Sequence, residues 1–258
     1  MATPSATDKD QFALIAEYYD TLMANVPYDV WADYVSELAH AAGRPILPGM
    51  KLLDLATGTG SVAIQFAKRG CLVTGIDLSA AMIEVAKRKA AEMHLPANFH
   101  CRDLANFEFS PEFDHAVCLY DSLNYILESK ALEQTFANIR RSLRPGALLI
   151  FDINTVHALE AELFTQTSRP DAPIKYHWKS QYDPASRTSR IDMRFRLPDT
   201  GKRISIVHQQ RAYTDAELRS LMHRARLTDI SAYDAYRMTP PGPMSDRVFY
   251  VARCADTA

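Results

Sequence analysis

The stretch Met50–Asp77, MKLLDLATGTGSVAIQFAKRGCLVTGID, decides the fold that we predict for this chain. An apolar run at Leu52–Leu55 is too short for a helix and leads into a glycine-rich turn, as a buried parallel strand does. An amphipathic segment follows at Val62–Lys68, and a second apolar run ends on Asp77. This order of strand, glycine turn, helix, strand and acid predicts a βαβ unit that holds a nucleoside.

Each part of this unit has a physical reason to bind a ligand. Gly58 and Gly60 lack Cβ and tolerate positive φ, so the backbone can approach a ligand closely. The start of the helix then offers free N–H groups to polar or anionic atoms. The carboxylate of Asp77, at the tip of the second strand, can accept hydrogen bonds from both hydroxyls of a ribose.

NAD is one candidate ligand, because Gly58–Ala63 satisfies the dinucleotide pattern G-x-G-x-x-G/A. Asp54 argues against NAD, since a carboxylate at the end of the first strand would repel a pyrophosphate and suit a cationic ligand. Asp103 follows a third predicted strand at Asn98–Cys101, where it could reach an adenine amino group.

The spacing of Asp54, Gly58, Gly60, Asp77 and Asp103 resembles that of the class I S-adenosylmethionine (SAM) methyltransferases. In that family LDLATGTG, GIDLS and RDL would be the first three cofactor motifs. The resemblance implies that Asp54 and the glycine turn hold the methionine end of SAM, Asp77 the ribose and the RDL segment the adenine. Further cofactor-binding candidates that it implies are Ala56, Thr57, Thr59, Leu78, Met82, Arg102, Leu104 and Tyr120.

Aromatic and apolar residues recur at helical spacing over residues 12–38, with a break at Pro27, which predicts two N-terminal helices. The pattern YYD…VPYDVW resembles the lid of glycine and amino-sugar N-methyltransferases and of several uncharacterised bacterial relatives. That resemblance implies that Tyr19, Tyr28 and Trp31 contact the cofactor, and that the two tyrosines also contact the substrate; cation–π attraction to a sulfonium supplies a reason. The alternative is that these aromatics pack in the core.

A fourth predicted strand, Phe113–Leu119, delivers the next residues to the carboxyl edge of the sheet, where open α/β folds bind ligands. This is the place of the family's fourth motif, and Asp121, Asn124 and Tyr125 are the substrate-binding candidates. Asp121 and Asn124 could instead cap the following helix. The amino-sugar enzymes have a histidine where Tyr125 falls, so the resemblance leaves the catalytic base open.

Period-two alternation at residues 176–182, 191–197 and 204–209 predicts an antiparallel three-stranded meander. Together with these patterns, the resemblance implies an α/β, Rossmann-like sheet of seven mostly parallel strands with helices on both faces. Its predicted parts are a helical lid at 1–49, a SAM-binding domain at 50–156 and 214–258, and an insertion at 157–213 that covers the active site.

Residues 169–226 contain thirteen Lys and Arg against six Asp and Glu, which suits an anionic substrate unless these side chains simply face solvent. Within the insertion, the side chains that could enter a pocket are His177, His208, Arg194, Arg196 and Arg211. An amine acceptor needs only to arrive deprotonated. A hydroxyl acceptor would need a base, for which Tyr125, His208 and Asp121 are the catalytic candidates.

Composition narrows the class of protein. Apolar residues make up 47%, charged residues 23%, and the net charge is −2, which argues against a nucleic-acid enzyme. Four isolated cysteines without a C-x-x-C pair predict neither a metal site nor a disulfide framework. Residues 1–12 lack the basic and apolar parts of a signal peptide, and no apolar run is long enough to span a membrane, so we predict a cytoplasmic protein.

The favoured function is a SAM-dependent methyltransferase that acts on a nitrogen or oxygen atom of a small molecule. A nucleic-acid methyltransferase, an NAD-dependent dehydrogenase and a non-catalytic SAM-binding protein are the alternatives. The insertion could also form a homodimer contact.

Overall fold

The computed structural model describes residues 10–255. The absence of a signal peptide, which was predicted from residues 1–12, therefore falls largely outside the described residues. Within residues 10–255, no helix combines the length and the apolar character that a membrane span requires.

The strands of the described chain form two sheets, one of seven strands and one of four. In chain order they are β1 (Lys51–Leu55), β2 (Leu72–Asp77), β3 (Ala97–Cys101), β4 (Phe113–Cys118), β5 (Leu143–Asn154), β6 (Gln166–Thr167), β7 (Lys175–Asp183), β8 (Thr188–Arg196), β9 (Arg203–Arg211), β10 (Leu227–Asp234) and β11 (Arg247–Cys254). The larger sheet has the order β10-β11-β5-β4-β1-β2-β3. Its strands from β3 to β5 are parallel, and β11 is antiparallel to both β5 and β10, which confirms the predicted sheet.

Helices cover both faces of this sheet. In chain order, the helices of the described residues are α1 (Ala16–Leu22), α2 (Tyr28–Ala41), α3 (Ser61–Lys68), α4 (Ala80–Glu92), α5 (Ser129–Ser142), α6 (Val156–Glu160) and α7 (Asp215–Arg224). Helices α2, α3 and α4 pack on one face, where Leu148 and Ile150 of β5 are buried. Helices α5 and α7 pack on the other, with Leu149 and Phe151. Because alternate residues of β5 enter opposite cores, the strand reads as a continuous apolar run.

The predicted N-terminal lid has two structurally different parts. Helix α2 belongs to the core of the main sheet, since its Trp31 and Leu38 are buried in the same cluster as Phe249. A 3₁₀ turn at Gln11–Leu14 and helix α1 lie between the smaller sheet and α4: Ile15 is buried with apolar residues of the sheet, and Ala16 with Met82 and Val85 of α4. Only the turn, α1 and the start of α2 therefore lie over the carboxyl edge of the main sheet.

The smaller sheet has the order β6-β7-β8-β9, with antiparallel pairing throughout. We predicted three of its strands; the fourth, β6, has two residues, too few to show a periodicity. Along β8, Met193 and Phe195 are buried while Arg194 and Arg196 are exposed. One face of this sheet is thus apolar and turned inward, as the alternation predicts.

Pro145 and Gly146, residue types that usually end a helix, lie inside strand β5. The helix ends earlier, at Ser142, and the strand begins at the next residue. The pairing of β4 with β5 shifts register between Phe113 and His115, opposite this segment. Because regular pairing is interrupted at this point, Pro145 is tolerated although it has no N–H to donate.

Candidate active site

A cavity of about 1030 Å³ lies beyond the carboxyl ends of β1, β2 and β4, beneath α1 and the smaller sheet. This volume is at the upper end of the range of about 300–1,000 Å³ that is usual for ligand pockets. We call its two ends the glycine end and the insertion end. The glycine end is lined by Asp54, residues 56–59, Asp77, Leu78 and residues 103–105, and the insertion end by Tyr125, Trp178, Met193, Phe195 and His208.

The glycine turn is shaped by residues with positive φ. Ala56, Gly58 and Gly60 have φ values of 53°, 55° and 76°, a region that favours glycine. A Cβ on Gly60 would lie 3.0 Å from Cβ of Ala86 and 3.1 Å from the ring of Phe99, so this glycine lets the turn pack closely. A Cβ on Gly58 would meet nothing within 4 Å, so the turn is open toward the cavity at that point.

Asp54 is a buried carboxylate at the glycine end, with only 2% of its surface exposed. The hydroxyl of Thr57 donates a hydrogen bond to it at 2.5 Å, but the described residues give it no basic partner. Burial raises the pKa of Asp54 to about 7. Because an unpaired buried charge is costly, this site fits a ligand that brings a cationic group.

Asp77 connects the second strand to the glycine turn. Its carboxylate accepts hydrogen bonds from the N–H groups of Gly58 and Ser79, both at 2.8 Å. Burial raises the pKa of Asp77, and these two hydrogen bonds oppose that shift. The side chain still lines the cavity, where its remaining lone pairs can accept ligand hydroxyls.

Most of the predicted cofactor residues line the cavity: Tyr19, Tyr28, Asp54, Ala56, Thr57, Gly58, Thr59, Asp77, Leu78, Met82, Asp103, Leu104 and Tyr120. Trp31, Gly60 and Arg102 do not. The ring of Trp31 packs in the core, where its centroid lies 5.4 Å from that of Tyr120 and 6.0 Å from that of Phe249. The guanidinium of Arg102 lies over the ring of Phe109 at 5.8 Å.

Asn124 does not contact the cavity, which corrects its assignment as a substrate-binding residue. Its amide donates to the carbonyl groups of Asn154 at 3.1 Å and Arg211 at 2.9 Å, and its oxygen accepts from the N–H of Asn154 at 2.9 Å. The fully buried side chain therefore joins the end of β5 to β9. Nor does it cap the following helix, as the other interpretation predicted.

Asp121 lines the cavity, but both of its carboxylate oxygens are engaged. One accepts from Nη2 of Arg247 at 2.8 Å and the other from the amide of Gln210 at 2.5 Å. Arg247 also donates to Asp152. We call Asp121, Asp152, Gln210 and Arg247 the Arg247 clamp. These contacts hold the carboxylate of Asp121 in the clamp, so its first role is to fix its own turn rather than to take a proton from a substrate.

Tyr125 and His208 meet at the insertion end, with the tyrosine hydroxyl 3.4 Å from Nδ1 of the histidine. Burial lowers the pKa of His208 to about 4, so its imidazole is neutral near pH 7. Burial raises the pKa of Tyr125, so its phenol keeps its proton. Nε2 of His208 has no hydrogen-bond partner within residues 10–255. This nitrogen is buried, so a ligand that reached it would meet a neutral imidazole without a hydrogen-bond partner at that position.

Most of the rest of the insertion end is apolar: Phe12, Ile15, Phe164, Trp178, Ile191, Met193 and Phe195 line it. The other insertion side chains that the sequence suggested for a pocket do not line this cavity; they are His177, Arg194, Arg196 and Arg211. The basic side chains that do line it are paired. Arg190 contacts Asp192 at 2.7 Å, and Arg247 contacts two aspartates. The described wall thus has no unpaired basic group for the predicted anionic substrate.

Sequence reasoning missed several residues that shape the site. Asp20 of α1 accepts a hydrogen bond from the hydroxyl of Thr59 at 2.6 Å and pairs with Lys89 at 2.7 Å, which ties α1 to the glycine turn. Asp20 stands in the YYD motif, and Asp152 is a lone charge in the apolar run of β5; both were usable signals. Arg247 had no such signal. Among the described residues, no group of His, Cys, Asp and Glu side chains is placed to hold a metal ion.

Comparison with known proteins identifies the family. A methyltransferase-domain family matches residues 52–146, the segment that contains the glycine turn and the three aspartates of the glycine end. A protein of Geobacillus sp. (strain WCH70) that is named as a methyltransferase is 32% identical over 92% of this chain and 97% of its own length. The chain belongs to the class I SAM-dependent methyltransferases.

Two further comparisons are consistent with this family. The crystal structure of a SAM-dependent methyltransferase from Clostridium acetobutylicum ATCC 824 superimposes with a TM-score of 0.81 at 26% identity, covering 95% of this chain and 99% of that one. A dTDP-4-amino-2,3,4,6-tetradeoxy-D-glucose N,N-dimethyltransferase from Saccharopolyspora spinosa is 28% identical over 53% of each chain. The predicted family, cofactor and enzyme class are confirmed, so the dehydrogenase and the non-catalytic binding protein are set aside.

Proposed function

We propose that this methyltransferase transfers a methyl group to a nitrogen or oxygen atom of a small molecule that binds at the insertion end. The observation that carries this proposal is the continuity of the cavity. It continues from the glycine end to a second, mostly apolar end beneath α1 and the smaller sheet. Such a space suits a compact acceptor, and its apolar wall favours transfer through alignment and desolvation.

The glycine end would hold SAM, which supplies a methyl group on a cationic sulfur. Asp54 would pair with the cationic amino group, and Asp77 would accept the ribose hydroxyls. Tyr19, Tyr28 and Tyr120 line the same cavity, and burial raises the pKa of each phenol, for Tyr120 to about 12. Their rings are therefore neutral and can attract a cation.

At the insertion end, Tyr125 and His208 would contact the atom that is methylated. An amine would need only to be held deprotonated. A hydroxyl would lose its proton to His208, which is neutral and has a free ring nitrogen. The amino-sugar enzyme among the relatives favours nitrogen, and the buried imidazole favours oxygen, so both atoms stay in the proposal.

A nucleic acid is the weaker candidate acceptor. Several basic side chains of the insertion are neutralised by acids, as in the pairs Arg187–Glu217 and Arg190–Asp192. A polyanion needs an open basic surface, whereas the insertion end is covered and apolar.

The test uses SAM with an isotopically labelled methyl group and an extract of the organism that encodes the chain. After incubation, the extract is separated into low-mass, nucleic-acid and protein fractions. We expect label in the low-mass fraction, on nitrogen or oxygen by mass spectrometry. At a SAM concentration below that needed for saturation, an Asp77→Ala variant in parallel should label far less. Label confined to RNA, DNA or protein would contradict the proposal.

A further inference from the structure

Tyr120 and Asp121 form a strained turn where the glycine end meets the insertion end. They are consecutive non-glycine residues with φ values of 67° and 51°. Residues with side chains seldom adopt this left-handed region, and they persist in it only where surrounding contacts require it. Both residues line the cavity, so the strain lies in the wall of the site.

The contacts that require this conformation come from the Arg247 clamp. The two carboxylate oxygens of Asp152 accept the backbone N–H groups of Tyr120 at 2.6 Å and Asp121 at 2.9 Å. Arg247 donates to Asp152 and, at 2.8 Å, to the side chain of Asp121. The guanidinium of Arg247 thus binds two carboxylates at once: that of Asp152, which accepts the backbone N–H groups of the turn, and that of Asp121, which belongs to the turn.

The clamp also reaches both covers of the cavity. Gln210 of β9 donates to Asp121 at 2.5 Å, which links the turn to the insertion. The hydroxyl of Tyr120 donates to the sulfur of Met23 at 3.4 Å, which links it to the segment after α1. The guanidinium of Arg247 lies 5.6 Å from the ring centre of Tyr120. A movement of the turn would therefore displace the Tyr120 ring at the boundary between the two ends.

We propose that Asp152 and Arg247 are positioning residues that keep the Tyr120–Asp121 turn in its strained, ligand-ready conformation. The inference rests on the proposed function only in placing Tyr120 in the cofactor wall. Without the clamp, the turn relaxes and a smaller fraction of the protein is competent to bind. Apparent affinity then falls in proportion to that fraction.

The experiment is calorimetric titration of the full chain with S-adenosylhomocysteine (SAH). Asp152→Asn cannot accept both N–H groups, and Arg247→Lys cannot bridge two carboxylates, so each should weaken binding about tenfold. Arg253→Lys is the matched control, because Arg253 lies on the same strand and contacts the exposed Asp229 at 3.0 Å. Leu132→Ala, in the core of the opposite face, should lower stability while SAH affinity stays within about twofold.

A double-mutant cycle separates positioning from general destabilisation. Asp121→Gly removes the strain at that residue, so adding Asp152→Asn to it should cost less than about threefold in SAH affinity, against about tenfold in the native background. Equal losses in both backgrounds, or an Asp152→Asn variant with native affinity, would overturn the inference. Label found only on macromolecules, with these affinities as expected, would contradict the proposed acceptor and leave the clamp standing.

Discussion

The two ends of the cavity are built in opposite ways. The glycine end comes from one stretch of about fifty residues and presents backbone groups and carboxylates, including Asp54, which has no basic partner. The insertion end is assembled from distant segments, is mostly apolar, and has its basic side chains already paired. The glycine end therefore suits a cationic ligand, and the insertion end suits an apolar ligand of matching shape. The acceptor could therefore change between relatives without any change in cofactor binding.

The largest expected effect isolates the insertion end. With a hydroxyl acceptor found by labelling, His208→Asn should lower kcat about 100-fold, because the proton acceptor is lost. SAH affinity, measured by calorimetry, should stay within about twofold, since His208 lies away from the glycine turn. A small loss of kcat with that acceptor would show that His208 is not the base. A parallel loss of SAH affinity would show that the two ends are not separate.

Asp77→Ala should have the next largest effect and act on the glycine end alone. It removes an acceptor for the ribose and the anchor for the N–H groups of Gly58 and Ser79. Charged hydrogen bonds of this kind contribute about 2 kcal/mol, so SAH should bind about 30-fold more weakly in calorimetry. Asp229→Ala, which removes a carboxylate exposed at the surface, is the control and should bind normally.

Asp54 should make cofactor binding depend on pH. Its pKa is raised to about 7, and only the ionised form attracts a cationic amino group, so SAH affinity should fall about tenfold from pH 8 to pH 6. The ligand-free protein should also lose stability as pH rises from about 4 to about 7, since the folded state keeps a proton that the unfolded state releases. Asp54→Asn should abolish the pH dependence of binding in calorimetry and reduce that of stability in urea unfolding, where Asp77 still contributes; unchanged profiles would contradict the assignment.

The smallest effect is expected for Arg190→Gln. Arg190 lines the insertion end but is half-exposed and paired with Asp192, so the KM of the acceptor should change less than about threefold. An increase well above tenfold would show that Arg190 leaves Asp192 to bind an anionic acceptor. That result would restore the substrate predicted from the charge of the insertion and remove the contrast between the two ends.

The glycine end was predictable because its residues are close in sequence and their spacing has a local cause. Three strands of the insertion were predictable from their local alternation, and the seven-stranded sheet from the resemblance of the motifs to a known family. Asn124 and Arg247 were not, since the partners that define them are as far as 87 and 126 positions away. Trp31 shows a third limit: its helical spacing suits both a core and a cavity wall, and only packing decides between them.

The contact between Asp20 and the glycine turn has a kinetic consequence. Thr59 and Lys89 both bind this carboxylate, so α1, the turn and the last turn of α4 hold one another in place. We expect SAH to leave only after these bonds break, which makes opening of α1 a step in every catalytic cycle. Turnover would then be limited by the release of SAH, and weakening this contact would speed the enzyme while shortening the residence time of its cofactor.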